Sequence, residues 1–421
     1  MKYAHKKLLV LGGFAQHCDA ILYAQSQGCY VLVADYLADS PGKVIADEAH
    51  LITITDVDRL VELCRDKSVD GVINYCIDPG QKPYQQICSR LGLPCYGTKE
   101  QFDVLSNKDQ FYNCCLDNGV NVVPRYYVGG NPGNCDLKLI EYPAIVKPAD
   151  GRASKGVAVC FRPEQLGVAV ANALDLSQRK RVVIEKYMNR PEACAKYFVC
   201  EGEVFLTSFS DTYTCYVHGE RSAINGKYFP SKFEAEFKAS ADQKLRGMIQ
   251  KLGIQNGPLS FTCFYDDGVF RFFDPSFRLG GAQQWRIEAS ITGVEAAYCM
   301  TNFALTGSMG DLSFIRKCET DFSAVCAGEL FILARLGEIG RIEGVKESAA
   351  LPSVIGHYVS HRSGDVIRQQ GTTDHVVVTY LLMAKSKKEL LRDMSLIQGF
   401  TKVFDSSGGD MLLPGLDLRI L

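Results

Sequence analysis

The most informative segment of the chain runs Pro143-Ala-Ile-Val-Lys-Pro-Ala-Asp-Gly-Arg-Ala-Ser-Lys-Gly-Val157. Its apolar start predicts a strand that ends at Lys147, followed by a polar loop and a second strand. The backbone amides of such a loop can close over phosphate oxygens, and Lys147 adds a fixed cation. No clear helix follows, so the loop is not of the Walker type. The segment predicts a phosphate site, and the alternative is a solvated hairpin with a surface lysine.

A second segment, Val182-Val-Ile-Glu-Lys-Tyr-Met188, is an apolar strand that runs into an acidic residue. A strand of this kind can offer its backbone to the edge of an adenine ring. Taken alone, it is equally typical of a buried core strand.

A third segment, Phe270-Arg-Phe-Phe-Asp-Pro-Ser-Phe-Arg-Leu-Gly-Gly281, carries polar groups at alternate positions. Asp274, Ser276 and Arg278 should therefore face the same side of a strand. A carboxylate beside a hydroxyl suits a hard cation such as Mg²⁺, and a guanidinium can hold a phosphate in bidentate fashion. We expect Phe273 and Phe277 to lie on the opposite face, in a core.

Residues 1–100 alternate short apolar runs with helical patterns, which predicts a parallel sheet. The runs and patterns are Leu8–Leu11, Asp19–Gln27, Tyr30–Ala34, Val57–Arg65 and Gly71–Tyr75. The Gly12-Gly13 turn lacks the GxGxxG pattern, so we assign Gly12 and Asp35 a structural or substrate-side role. Asp78 follows a strand at the edge where open sheets bind ligands, although turn chemistry explains it equally well.

The pattern changes twice further along the chain. A helix at Lys108–Asn118 opens a region of mixed helices and strands, and glycine-punctuated strands after Ala327 lead to a helix at Lys387–Gln398. We therefore predict domains at residues 1–100, 101–327 and 328–421, with a lobe of the second at about 126–205. Asp78, segment 210–232 and the Gln283–Arg286 turn are expected to set substrate choice, in roles that the sequence leaves open.

Composition indicates a soluble globular protein. The 421 residues are 47% hydrophobic and 22% charged, with 46 Lys plus Arg against 48 Asp plus Glu. This balance gives no overall field for nucleic acid or anionic lipid, so we expect neither as a partner. The 17 cysteines form no CxxC pair and are expected to be reduced thiols. No apolar run is long enough for a membrane span, so a cytoplasmic protein is expected, with a homodimer as the default assembly.

The three segments, in this order, resemble the ATP-grasp superfamily of carboxylate-amine ligases. The similarity is greatest to the group of biotin carboxylase, carbamoyl-phosphate synthase, phosphoribosylglycinamide synthetase and L-amino acid ligases. The resemblance implies a mixed α/β and α+β fold: an N-terminal parallel-sheet (pre-ATP-grasp) domain, a two-lobed ATP-grasp core and a small C-terminal α+β domain.

The resemblance also assigns roles to residues by their position in these motifs. The implied assignments are phosphate binding by Lys108 and Lys147, a lid loop over Gly151, Ser154 and Gly156, adenine contacts around Glu185, Lys186 and Met188, ribose at Glu192, metal at Asp274 and Ser276, and catalysis by Arg278 with Lys147. ATP and Mg²⁺ (or Mn²⁺) are the implied cofactors.

Three positions depart from the family pattern. Thr262, in Gly257-Pro-Leu-Ser-Phe-Thr262, stands where the family has its first metal-binding glutamate, and Asp274 and Ser276 replace a glutamate and an asparagine. Losing one of two carboxylates should weaken Mg²⁺ binding. The implied activity is ATP-dependent ligation of a small carboxylate to an amine through an acyl phosphate. The alternatives are a nucleotide-binding regulatory protein with weakened catalysis, and a bicarbonate-using carboxylase or carbamoyl-phosphate synthase-like enzyme.

Overall fold

The computed structural model describes residues 2–130, 137–150, 156–217, 220–311, 326–369 and 371–421. The central part of the predicted phosphate loop, residues 151–155 with Gly151 and Ser154, lies outside them.

The N-terminal part builds a four-stranded sheet in the order β3-β2-β1-β4. Its elements and the helices that follow are β1 (Lys7–Leu11), α1 (Cys18–Ser26), β2 (Tyr30–Asp35), α2 (Pro41–Ile45), β3 (Glu48–Leu51), α3 (Val57–Lys67), β4 (Gly71–Ile73), α4 (Gln81–Leu91), α5 (Lys99–Ser106) and α6 (Lys108–Asp117). All pairs of strands are parallel, which confirms the predicted sheet. β1 and β2 are buried because helices cover both faces of the sheet.

A second, antiparallel sheet has the order β5-β8-β6-β7. Its elements are β5 (Arg125–Gly129), β6 (Ala144–Pro148), β7 (Ala158–Cys160), α7 (Leu166–Leu176) and β8 (Val182–Lys186). The apolar stripe of α7 packs on one face of this sheet, where Ala169, Val170 and Ala173 meet Val146 and Ile184. We call this unit the small sheet.

The largest sheet has eight strands in the order β13-β12-β9-β10-β11-β14-β18-β16, and we call it the large sheet. Its first part and the neighbouring helices are β9 (Glu192–Cys200), β10 (Glu203–Val217), β11 (Glu220–Phe229), α8 (Glu234–Ser240), α9 (Asp242–Lys251), β12 (Gly257–Asp266), β13 (Val269–Ser276), α10 (Trp285–Thr292), α11 (Ala296–Thr306) and β14 (Cys326–Leu333). Neighbouring strands are antiparallel throughout.

The C-terminal part adds two strands to the large sheet and forms a three-stranded sheet of its own, β17-β15-β19. Its elements are β15 (Gly337–Glu343), α12 (Val345–Ala349), β16 (Val354–Val359), β17 (Val366–Ile367), β18 (Val376–Ala384), α13 (Lys387–Phe400) and β19 (Lys402–Asp405). α13 packs on the face of the large sheet formed by Leu330 and Tyr380. The large sheet thus contains strands from both sides of the boundary predicted at residue 327. The domain boundaries stay a prediction.

The mixed α/β and α+β fold class is confirmed by this combination of one parallel and several antiparallel sheets. The cysteines of the described residues are free thiols. Within the same residues, no helix combines the length and the apolar character that a bilayer crossing requires.

Candidate active site

Lys147 and Glu185 form a buried ion pair in the small sheet. They lie on the neighbouring strands β6 and β8, and Lys147 Nζ donates to Glu185 Oε2. Their side chains are only 10% and 5% exposed. Two charges taken out of water need further partners to be tolerated. Lys147, the lysine predicted to bind phosphate, is therefore already paired with a carboxylate.

Arg125, at the start of β5, supplies those further partners. Its Nε and Nη2 donate to Glu185 Oε1 at 3.1 and 3.0 Å, and its Nη1 donates to Asp109 Oδ1 at 2.9 Å. The guanidinium lies over the Tyr112 ring, 3.8 Å from the ring centroid. Although burial opposes the shift, Lys147 and then Arg125 hold the pKa of Glu185 below its usual range. Arg125 is an isolated charge at the start of a strand and Asp109 is an acidic residue in the first turn of a helix, so neither was identified from the sequence as a site residue.

Lys108 joins the same group of charges from the first turn of α6. The helix begins there because the Asn107 side chain accepts hydrogen bonds from the backbone N–H groups of Asp109 and Gln110, at 2.9 and 3.2 Å. Burial, and next the charge of Lys147, lower the pKa of Lys108, while Asp274 and Glu185 act in the opposite direction. Lys108 therefore lies within electrostatic reach of both sheets.

A small cavity lies between these charges and the edge of the large sheet. Its lining combines cations, one carboxylate and apolar rings: Lys108, Phe111, Tyr112, Val123, Arg125, Glu185, Phe272 and Phe273. The cavity has a volume of only about 10 Å³, which is water-sized, so its lining shows which groups meet at this place and not the size of a ligand.

The predicted metal residues lie on β13, paired with β12. Thr262 is directly opposite Asp274, and Ser260 is opposite Ser276, so the four side chains share one face. No group of three His, Cys, Asp or Glu side chains with metal-binding geometry occurs anywhere in the described residues. One carboxylate with neighbouring hydroxyls fits a Mg²⁺ ion that takes its remaining ligands from phosphate oxygens, and does not fit an all-protein cage.

The expected orientation of Phe273 is wrong, because the register shifts between β12 and β13. Thr262 pairs with Asp274 but Cys263 pairs with Phe272, so Phe273 is an extra, bulged residue. Phe272 takes the core position, and Phe273 stacks on Phe264, with ring centroids 4.6 Å apart. Phe277 is in the core, as expected.

Arg278 is held by Asp78, which follows β4 of the N-terminal sheet. The guanidinium binds both carboxylate oxygens, with Nε 2.8 Å from Oδ1, and Ser276 Oγ donates to the same Oδ1 at 3.2 Å. Although burial opposes it, Asp78 raises the pKa of Arg278, and the charge of Asp274 adds to this effect. Asp78 thus has a defined partner, beyond the turn that the sequence indicated.

Two of the residues expected at the adenine and the ribose, Met188 and Glu192, lie at an apolar cluster beside this edge of the large sheet. Met188 packs there with Val123, Phe264 and Phe273. Glu192 begins β9 and pairs with Phe264, on the face of the sheet that carries Thr262. The Lys186 side chain points away to Glu141, at 3.2 Å. The Glu185 side chain is turned to Lys147 and Arg125, and its backbone is paired with Arg125 on β5 and Ile145 on β6.

Gly156 is the part of the predicted loop that the structure describes. Its φ of +76° favours glycine, and a Cβ there would lie 2.8 Å from Leu176 Cδ1 and 2.9 Å from Pro148 Cγ. The end of the loop is therefore fixed closely against β6.

Comparison with curated proteins shows partial similarity to one enzyme. The formate-dependent phosphoribosylglycinamide formyltransferase of Synechococcus sp. (strain WH7803) is 26% identical over 188 residues, which is 43% of this chain and 48% of that protein. The same enzyme from Prochlorococcus marinus (strain MIT 9303) is 23% identical over 188 residues, 44% of this chain and 48% of the relative. The chain thus spans about half the length of the curated relatives it matches. No family model matches it.

Solved structures match over nearly the whole chain. An L-amino acid ligase from Bacillus licheniformis has a TM-score of 0.79 at 18% identity, and covers 96% of this chain and 99% of its own. A phosphoribosylglycinamide synthetase from Anaerococcus prevotii has a TM-score of 0.74 at 17% identity, with 95% and 99% covered. The biotin carboxylase domain of Hydrogenobacter thermophilus 2-oxoglutarate carboxylase, a dimer with MgADP and bicarbonate, has a TM-score of 0.74 at 17% identity, with 94% and 91% covered.

These proteins define the class of fold. The chain has the ATP-grasp fold of the carboxylate-amine ligases and biotin carboxylases. The predicted resemblance is therefore confirmed for the fold, and the partial curated similarity agrees with it.

Proposed function

We propose that the chain binds ATP between the small sheet and the edge of the large sheet, and uses it to activate a small carboxylate for attack by an amine. The observation that carries this proposal is the cavity at which both sheets meet, since Lys108, Arg125 and Glu185 line it together with Phe272 and Phe273 of β13. Lys147 is paired with Glu185 there, and the charges of Lys147 and Asp274 both affect the pKa of Lys108. A triphosphate is the common small ligand that needs several cations and a metal-binding carboxylate at one place.

The purine is proposed to lie against Met188, Phe264 and Phe273, with the ribose near Glu192. The apolar cluster offers flat surfaces for a base. Glu192 is buried at the start of β9, on the same face as Thr262. We propose that backbone groups just beyond the end of β8, up to Met188, contact the adenine edge.

The phosphates are proposed to lie against Lys108 and Lys147, beneath the loop that contains Gly151, Ser154 and Gly156. Phosphate oxygens would share Lys147 with Glu185, and the added anion would favour the protonated form of Lys108. Asp274 and Ser276 would hold Mg²⁺ (or Mn²⁺), which supplies positive charge against the triphosphate when it is bound.

The chemistry follows from this placement. An oxygen of the substrate carboxylate attacks the γ-phosphorus, ADP leaves, and an acyl phosphate forms. The nitrogen of the amine then attacks the acyl carbon, loses a proton, and displaces inorganic phosphate. Arg278 would steady the acyl-phosphate oxygens, and the closed site would keep water away from the mixed anhydride.

The test is ADP formation with candidate carboxylates and amines, in wild type and two variants. Lys147→Ala is expected to abolish turnover, and Arg278→Ala is expected to lower kcat more than it weakens nucleotide binding. Lys388→Ala, an exposed position on α13, is the control and should leave turnover unchanged. Equal losses of kcat and nucleotide affinity in Arg278→Ala would contradict its role.

A nucleotide-binding protein with weakened catalysis is the second candidate, and Thr262 favours it. Thr262 faces Asp274, where a second carboxylate would complete a two-carboxylate metal site. A silent wild type that gains ATPase activity in Thr262→Glu would favour this candidate. Bicarbonate-stimulated ADP release without an amine would instead favour the carboxylase alternative. We also propose that the protein is cytoplasmic, that it binds no nucleic acid and that it forms a homodimer. Light scattering measures the mass of the particle and so tests the homodimer.

A further inference from the structure

Two cysteines of the N-terminal part are in contact with each other, and we call them the thiol pair. Cys88 lies in the last turn of α4, and Cys95 lies in the loop between α4 and α5. Cys88 is buried, Cys95 is partly exposed, and both are free thiols. The Cys88 thiol donates a hydrogen bond to Cys95 Sγ. The two sulfur atoms therefore need only a short approach to form a disulfide.

The local fold explains why the two thiols meet. α4 ends at Gly92, whose φ of +66° turns the chain back, and the N–H that follows it donates to the Cys88 carbonyl oxygen at 3.0 Å. Tyr84 lies one turn before Cys88, on the same face of α4. Its hydroxyl accepts a hydrogen bond from the Tyr96 N–H at 3.3 Å and also contacts Cys95. The loop therefore lies across the face of α4 that carries Cys88.

The two thiols differ in acidity. Although burial opposes it, the hydrogen bond from Cys88 lowers the pKa of Cys95. The same hydrogen bond, and then burial, raise the pKa of Cys88. Burial raises the pKa of three other partly exposed thiols, which are Cys18, Cys114 and, to about 12, Cys76. Because the thiolate is the form that attacks an oxidant, Cys95 is expected to react first.

The loop of the thiol pair also holds the backbone beside the proposed reaction centre. The Tyr96 hydroxyl donates to the Phe277 carbonyl oxygen at 3.1 Å, and the two rings pack edge to face with centroids 5.0 Å apart. A Cβ on Gly97 would lie 2.6 Å from the Phe277 ring, so the packing leaves no free space. Phe277 stands between Ser276 and Arg278, the residues proposed to bind the metal and the acyl phosphate. A displacement of this loop therefore moves the backbone that positions both.

We propose that Cys88 and Cys95 form a reversible disulfide on reaction with a peroxide, and that this bond lowers turnover by drawing Tyr96 away from Phe277. Cys88 is fixed within α4, so Cys95 and the residue after it make the movement. The disulfide itself goes beyond the proposed function. Only its effect on turnover rests on that function.

The oxidation proceeds in two balanced steps. The Cys95 thiolate attacks one oxygen of hydrogen peroxide, the O–O bond breaks, and hydroxide leaves, so that Cys95 becomes a sulfenic acid. The Cys88 sulfur then attacks the Cys95 sulfur, the S–O bond breaks, and the Cys88 proton leaves with the oxygen as water. In sum, two thiols are oxidised by two electrons and one peroxide is reduced to two water molecules. A small dithiol reverses the reaction by exchange and is itself oxidised to a disulfide.

The test uses the full, reduced chain and about one equivalent of hydrogen peroxide, followed by alkylation and mass spectrometry. Trypsin cuts after Arg90, between the two cysteines, so the disulfide joins residues 68–90 to residues 91–99 with the loss of two hydrogens. The cross-linked peptide should appear in wild type and disappear on treatment with dithiothreitol. Fragmentation distinguishes Cys88 from Cys76, which lies in the same peptide.

Two substitutions of Cys88 separate its roles. Cys88→Ser keeps a hydrogen-bond donor but forms no disulfide, so Cys95 should stop at the sulfenic acid and be trapped by dimedone. Cys88→Ala also removes the donor and should slow the reaction of Cys95 with peroxide about tenfold, the effect of one hydrogen bond to a charged group. Cys114→Ser removes a partly exposed thiol on α6 and is the matched control, with disulfide yield and turnover unchanged.

The effect on the site has two readouts. ADP formation by the oxidised wild type should fall about tenfold, as expected for the loss of one positioning hydrogen bond, and should recover with dithiothreitol. Cys88→Ser should keep its turnover after the same treatment, because its loop is not drawn toward α4. Amide exchange of residues 277–281 should become faster in the oxidised wild type, and this readout requires no turnover.

The outcomes separate this inference from the proposed function. Absence of the cross-linked peptide, or a disulfide between other cysteines, would overturn the inference. So would a Cys88–Cys95 disulfide that leaves the exchange of residues 277–281, or the turnover of an active enzyme, unchanged. These measurements are made on wild type and do not depend on the folding of a variant. A wild type that forms the disulfide and shows the faster exchange, but makes no ADP with any substrate, would instead remove the proposed function.

Discussion

Replacing Glu185 by glutamine tests the charge network that prepares the small sheet for an anion. The carboxylate is 5% exposed and accepts hydrogen bonds from Lys147 and from two nitrogens of Arg125. Arg125 keeps Asp109, but Lys147 loses its carboxylate. Removing one partner from a buried ion pair costs about 3–5 kcal/mol, and the retained Asp109 contact places the expected loss near the lower limit.

Amide hydrogen exchange measures the loss of local stability in β6 and β8, the strands that carry Lys147 and Glu185. A local destabilisation of about 3 kcal/mol makes amides of β6 and β8 exchange roughly 100-fold faster, because exchange of protected amides follows the opening equilibrium. Saturating Mg·ATP should narrow the gap between variant and wild type, since phosphate oxygens replace the missing charge beside Lys147. The faster exchange in the variant should therefore be large without nucleotide and smaller with it.

The control is Glu141→Gln. Glu141 is 70% exposed and pairs with Lys186 at 3.2 Å, so its removal should change exchange in β8 by less than about threefold. An effect of Glu185→Gln as small as that of the control would refute the buried network. An unchanged gap in the presence of nucleotide would refute the proposal that phosphate replaces the carboxylate.

Three further predictions concern single groups. Asp78→Asn should lower kcat about tenfold and leave Mg·ATP affinity nearly unchanged, because it loosens Arg278 and not the phosphate lysines. Turnover assays give kcat and calorimetry gives the affinity, and a fall in affinity as large as the fall in kcat would contradict this prediction. Because the pKa of Lys108 is lowered, Mg·ATP affinity should begin to fall with rising pH below the ordinary lysine value of 10.5, and Lys108→Arg should remove this decline in a calorimetric titration series. Burial lowers the pKa of His17 from 6.5 to about 4, so the unfolded chain binds the proton first and stability is lost as pH falls from 6.5 to 4, by roughly 3 kcal/mol. His17→Gln should flatten that part of the pH profile of unfolding, and an identical slope in both proteins would contradict the assignment.

Local sequence patterns predicted the elements that carry the motifs. The strand ending near Lys147 is β6, the strand that holds Glu185 is β8, and the predicted helix at Lys108 is α6. Each has a strong apolar or capping signal within a few residues of its ends. Such signals depend on neighbours in sequence and need no knowledge of the tertiary fold.

Features that depend on strand pairing were not predictable. β3 was missed because it is a short edge strand with alternating half-buried and exposed residues, and has no apolar run. The bulge at Phe273 exists only in the pairing of β12 with β13, so the alternation rule put that ring on the wrong face. A period of two cannot reveal an inserted residue.

Partners that are far apart in sequence were equally hidden. Arg125 meets Glu185 across 60 residues, and Arg278 meets Asp78 across 200 residues. The sequence identified Glu185, Arg278 and Asp78, but not that they would be bound by these partners. Charge pairs of this kind are properties of the folded sheets, and no motif encodes them.

The most direct measurement is a crystal structure with Mg²⁺ and a non-hydrolysable ATP analogue. We predict one triphosphate in contact with the Nζ atoms of Lys108 and Lys147, and a cation between that triphosphate and Asp274. A nucleotide bound elsewhere, or the two lysines and Asp274 lining separate cavities, would contradict it.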